Sequence, residues 1–93
     1  MTYSRRTDGN HADIRDALRQ VGAWVSDTHN IGDGFPDLVV AKPNGYLFMV
    51  EVKASRSSKL TEDERKFATE CPAHVHIVYS VEDALSLYQT LGW

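Results

Sequence analysis

Ninety-three residues, 42% hydrophobic and 10% aromatic, supply one hydrophobic core, so a single domain over residues 1–93 is expected. No apolar run approaches the roughly eighteen residues of a membrane helix, and the polar start MTYSRRTDGN lacks the apolar stretch of a signal peptide; the chain reads as a cytoplasmic protein with no membrane partner. The single cysteine, Cys71, excludes an internal disulfide framework and reads as a small buried residue, and the net charge of −3 argues against a uniformly basic nucleic-acid binder.

Along the chain, Asn10 followed three residues later by Asp13 resembles a capping box. Ile14, Ala17, Leu18 and Val21 then mark one face of a helix over about residues 10–21, ended by Gly22. AWVSDT reads as a strand and HNIGDG as a loop; DLVVA and YLFMVEVK read as two strands of a hairpin joined at KPNG. SRSSK is a flexible connector. Thr61 with Glu64 is a capping-box signature for a second helix that ends before Pro72. VHIVY is a fourth strand, and Ser80 caps a last helix carrying Val81, Ala84, Leu85, Leu87, Tyr88 and Leu91, which stops near Gly92. The order αβββαβα, with YLFMVEV too continuously apolar for a half-exposed strand, predicts an α/β fold whose central strand has helices over both faces.

That apolar strand runs into Glu51-Val52-Lys53, and a charge placed there costs free energy unless it is paired or holds a metal. Residues two apart in a strand share a face about 7 Å apart, so Glu51 and Lys53 project together. Whether Asp37 joins them depends on the hairpin register. A two-residue Asn44-Gly45 loop sets Asp37 opposite Val52; a three-residue Pro43-Asn44-Gly45 loop, with Gly45 left-handed in a G1 bulge, sets it opposite Glu51. In the second register two carboxylates and a lysine meet, a site for a hard divalent cation such as Mg²⁺ beside which Lys53 can position or activate a water. The bland alternative is an ion pair between Glu51 and Lys53 at the strand end.

Charge is unevenly spread. Lys53, Arg56, Lys59, Arg65 and Lys66 are five of the ten basic residues and fall in one short segment, which either tracks a phosphate backbone or is a solvated loop and helix face. His74 and His76 share a strand face but make only half a metal site. Cys71 with His74 lacks any oxyanion hole, and His29 precedes the Gly32–Gly34 loop as a candidate phosphate contact or a bystander. Gly32-x-Gly34 is not a dinucleotide fingerprint, since no helix follows it.

Pro36-Asp37 with Glu51-Val52-Lys53 resembles the PD-(D/E)xK nucleases. GFPDLVV, FMVEVK, KLTEDERKF and the helix in NHADIRDALRQVGAW are similar to the minimal single-domain VRR-NUC proteins common in bacteriophages. The resemblance covers nearly the whole chain. It implies a restriction-endonuclease-like core with a mixed four-stranded sheet, and Mg²⁺- or Mn²⁺-dependent hydrolysis of DNA. It implies that Asp37, Glu51 and the main-chain carbonyl of Val52 hold the metal, that Lys53 serves the water, and that Asp13 aligns with a first-helix acid that is a further ligand candidate. The sequence departs from the family in carrying Glu64 where relatives often have Gln, and Asp13 where the acid is often Glu. Arg56, Lys59, Arg65 and Lys66 are the DNA-binding candidates. The small surface suggests a homodimer acting on branched, Holliday-junction or double-stranded DNA. The rival reading is a non-catalytic nucleic-acid-binding or assembly module that keeps the nuclease fold.

Overall fold

The computed structural model describes residues 10–92; the polar start over residues 1–9 lies outside them. Helix α1 (Asn10–Gln20) leads into strands β1 (Trp24–Asp27), β2 (Leu38–Ala41) and β3 (Leu47–Val52), then helix α2 (Glu62–Glu70), strand β4 (Val75–Val78) and helix α3 (Val81–Thr90). The sheet runs β1-β2-β3-β4, antiparallel across the first two pairings and parallel between β3 and β4. The expected α/β order and mixed four-stranded sheet are therefore what the chain forms. No helix among the described residues is long and apolar enough to cross a membrane.

The turn between β2 and β3 sets the register. Lys42 and Tyr46 pair through the Lys42 N–H at 2.8 Å from the Tyr46 carbonyl, leaving Pro43, Asn44 and Gly45 as the loop. Gly45 takes φ +95°, a left-handed conformation that side chains with a Cβ resist. The hairpin thus adopts the three-residue alternative. Leu38 pairs with Val50 and Val40 with Phe48, and one step further the same register sets Asp37 opposite Glu51. The turn is held from outside too. Lys42 Nζ donates to the carbonyls of Tyr88 and Leu91, each at 2.7 Å, and Asn44 Nδ2 donates to that of Gly92 at 2.6 Å, so a cation sits at the negative end of α3.

Cross-strand partners share a face, which divides the sheet in two. Leu38, Val40, Phe48, Val50 and Val52 point toward α1 and α3, where they form the core with Ile14, Leu18, Val25, Val78, Ala84 and Tyr88. Phe48, Ile14, Leu18, Leu38, Val40 and Val50 are the largest side chains shut away there, each contributing about 1.5–3 kcal/mol of transfer free energy on burial. The other face carries Asp37, Met49, Glu51 and Lys53 and is crossed by α2. That helix buries none of its own residues. It is held by polar links and by Phe67 set edge-on to Phe35, with ring centroids 5.1 Å apart. One glycine permits its close approach: a Cβ on Gly34 would stand 2.2 Å from the Asp63 carbonyl oxygen.

Two expectations at helix ends need correction. Asn10 is already inside α1, and its side-chain amide donates 2.9 Å to the Tyr79 carbonyl, so it ties α1 to the end of β4 instead of forming a capping box with Asp13. Val21 lies past the helix and is half exposed. The other two caps form as expected. Thr61 Oγ1 accepts from the Glu64 N–H at 3.1 Å while Glu64 Oε1 accepts from the Thr61 N–H at 2.8 Å, and Ser80 Oγ accepts from the Asp83 N–H at 3.0 Å.

Candidate functional site

Pro36 ends the pairing between β2 and β3. Continued by one more residue, the ladder would set Val52 against Pro36, which has no N–H to exchange. The Val52 N–H donates instead to Asp37 Oδ2 at 2.8 Å, and the Pro36 carbonyl accepts from Thr28 Oγ1 at 2.7 Å. A proline thus parts two strands where two acids meet. In a strand the N–H and C=O of one residue point the same way, so the Val52 carbonyl lies on the Asp37 side of β3.

Glu51 is only 2% exposed. Burial, together with the carboxyl of Asp37 within hydrogen-bonding reach and the negative charge of Glu64, pushes its pKa up to about 10, so Glu51 is protonated at neutral pH. Lys53 turns from the same face toward α2, where its Nζ donates to Glu64 Oε1 at 2.7 Å. Burial, the largest influence, favours the neutral amine, but the bond to Glu64 and the negative charge of Glu64 and the neighbouring acids together outweigh it, and Lys53 holds its proton more tightly than usual. Glu64 responds in the opposite sense. Burial raises its pKa, and the bonds from Lys53 and the Thr61 N–H outweigh that and bring it below the usual carboxylate range. The alternative of an ion pair between Glu51 and Lys53 is not what forms: Lys53 pairs with Glu64.

Asp37, Glu51, Val52 and Lys53 come together as the sequence indicates, and Glu64 joins them. Its place was missed because Thr61-x-x-Glu64 reads fully as a helix cap. One oxygen, Oε1, serves both the cap and the lysine. Asp13 is exposed on α1, and no hydrogen bond or ion pair among the described residues links it to Asp37 or Glu51. Of the basic candidates, Lys59, Arg65 and Lys66 are exposed. Arg56 lies over the Tyr79 ring, 4.5 Å from its centroid, with Asp83 at 3.8 Å.

Among the remaining candidates, Cys71 is only half-buried, as the C-cap residue of α2. The rings of His74 and His76 stack 6.1 Å apart, with His76 also edge-on to Phe48. His29 turns to Asp27, its Nδ1 2.6 Å from Oδ1.

The donor set suits a hard divalent cation. Two carboxylates and a carbonyl are oxygen ligands, and a cation would replace the proton that burial forces onto Glu51.

The family model described as the VRR-NUC domain matches residues 7–82. A solved structure titled "VRR_NUC domain" superposes with a TM-score of 0.68 at 22% identity, covering 91% of this chain and 100% of that one, which supports the fold. A search of curated proteins finds no match. A family model spanning the helix, the hairpin with both acids and the strand beyond settles the assignment: the chain belongs to the VRR-NUC family of the PD-(D/E)xK nuclease superfamily, and its function is of nuclease type.

Proposed function

We propose that this domain is a Mg²⁺- or Mn²⁺-dependent DNA endonuclease that holds its cation with Asp37, Glu51 and the Val52 carbonyl. One observation carries the reading. Glu51 is buried beside a second acid at a sheet opening, where the protein alone can keep it only by protonating it. When bound, the cation would neutralise charge on the scissile phosphate and acidify a water. Asp37 is fixed for its part by the Val52 N–H. Glu51 gives up its proton as ligand, and Lys53, kept cationic by Glu64, presents positive charge to the attacking water and the phosphate. Lys59, Arg65, Lys66 and Arg56 supply contacts to the DNA backbone, which position the substrate without reading its sequence. Branched DNA and a symmetric dimer with two sites fit a domain with little surface beyond its catalytic core.

A second reading, a nucleic-acid-binding module without cleavage, is favoured by one observation, the ion pair that occupies Lys53. One experiment separates the two. The protein is incubated with junction, flap and linear DNA with and without Mg²⁺ or Mn²⁺. Metal-dependent cleavage that is lost in Glu51→Ala while binding remains supports the enzyme. Metal-independent binding with every substrate intact supports the module.

A further inference from the structure

On the other face of the sheet, where the nuclease site does not reach, a second group of metal-ligating side chains converges. His11 comes from the first turn of α1, Asp27 ends β1, and His29 is the second residue of the loop to β2. One ligand atom from each lies within 4.8 Å of the other two. His11 Nε2 is 3.4 Å and His29 Nδ1 2.6 Å from the same oxygen, Asp27 Oδ1. The two rings meet edge to face, with centroids 4.7 Å apart, rather than stacking.

His11 is the informative member. It is 4% exposed, and its Nε2 has no hydrogen-bond partner although it faces Asp27. A buried polar atom left unsatisfied costs free energy and calls for an explanation. The other carboxylate oxygen, Oδ2, accepts from Arg15 Nη1 at 3.1 Å, which fixes the carboxylate with Oδ1 toward both imidazoles, as outer partners of metal ligands do.

We propose that His11, Asp27 and His29 form a cation site, separate from the nuclease site, for a borderline divalent transition metal of the Zn²⁺ class. Two imidazoles and one carboxylate suit such an ion and not Mg²⁺, which prefers oxygen. Ligands at about 2.0–2.1 Å in a tetrahedron stand about 3.3 Å apart, close to the His11–Asp27 separation of 3.4 Å. His29 Nδ1 must draw back from Asp27 Oδ1, now 2.6 Å away, by less than an ångström, and swing toward His11, whose ligand atom lies within 4.8 Å. The place of His29 in a loop, with 32% of the side chain exposed, allows that and leaves the fourth position open to water.

The site grips the backbone that delivers the catalytic acid. Asp27 and His29 flank Thr28, whose N–H donates to the Asp37 carbonyl at 2.8 Å and whose hydroxyl donates to that of Pro36. An ion here would bind α1 to the β1–β2 loop and hold Asp37 in place from behind. Arg15 lowers the affinity by its charge, and each imidazole binds the ion through a nitrogen lone pair.

The test is calorimetric titration with Zn²⁺ of the full chain carrying Glu51→Gln, which disables the nuclease site, and of the same protein with His29→Ala added. His29 is solvent-facing, so its removal leaves the core intact, as circular dichroism would verify. The proposal expects one Zn²⁺ per chain in the first protein and at least tenfold weaker binding in the second. Shifts of the His11 and His29 ring resonances should saturate at one equivalent. Absence of Zn²⁺ binding at tens of micromolar, or equal affinity with and without His29, overturns it. Because the nuclease site is already disabled, neither result depends on the cleavage reading.

Discussion

Replacing Glu51 with Gln should stabilise the protein in the absence of divalent metal. In the unfolded chain this carboxyl ionises at the usual 4.5, whereas in the fold it is pushed up to about 10. Between those values the folded state holds a proton the unfolded state has released, so stability falls as pH rises. The sign follows from linkage: a raised acid contributes its full stability below pH 4.5 and loses it progressively toward pH 10. At pH 7 the cost is about 3 kcal/mol, taken as about 1.4 kcal/mol for each pH unit above 4.5. Gln has the same shape, needs no proton and can donate its amide to Asp37. Urea or thermal unfolding in EDTA should therefore show Glu51→Gln more stable at pH 7 by up to about 3 kcal/mol, or roughly 10–20 °C for a domain of this size. The advantage should shrink toward zero near pH 4.5 and grow at pH 8. Asp27, whose pKa is lowered, contributes in the opposite direction but equally in both proteins, whereas Glu64 touches Glu51, so the same comparison in a Glu64→Gln background isolates Glu51. A variant that is no more stable than wild type from pH 6 to 9 would refute the assignment of a buried protonated Glu51.

Three further outcomes are expected. Lys53→Ala should abolish most single-turnover cleavage while DNA affinity falls little, whereas Arg56→Ala with Lys59→Ala should weaken binding and flatten its salt dependence by a slope of roughly two. Glu64→Gln keeps the Thr61 cap but removes the ion pair with Lys53. The Lys53 pKa should come down, as NMR titration of its Nζ-adjacent methylene would show, and cleavage should rise as the lysine is released to the phosphate. Gly34→Ala drives a Cβ to within 2.2 Å of the Asp63 carbonyl oxygen at φ +80°; an unfolding free energy lower by about 1–3 kcal/mol and reduced cleavage are expected, measured by urea denaturation and by gel assay.

How far the sequence reaches is clear from particular residues. Asn44-Gly45 and Pro43-Asn44-Gly45 both read as turns in the sequence, which therefore left Asp37 opposite either Val52 or Glu51; only the chemistry asked for the second, and the left-handed Gly45 and the observed register decide for it. Thr61 and Ser80 were legible as caps, because a cap follows from local backbone geometry. Contacts across the fold were not. Asn10 looked like a cap because its partner Tyr79 is 69 residues away, and Glu64 stood out only as a cap and as a departure from the usual Gln, because Lys53 reaches it only once α2 has docked. His11, Asp27 and His29 meet through the packing of α1 on β1. Their one local trace is the Asp27-x-His29 spacing, too common to single out.

The central claim, that the buried acid is a metal ligand awaiting its ion, is tested most directly by titrating the protein with Mg²⁺ at pH 7 in buffers of different ionisation enthalpy. The account predicts binding in the millimolar range or tighter with release of close to one proton per ion, and neither the proton nor the tight binding in Glu51→Gln. Binding without proton release, or no binding at millimolar Mg²⁺, would contradict it.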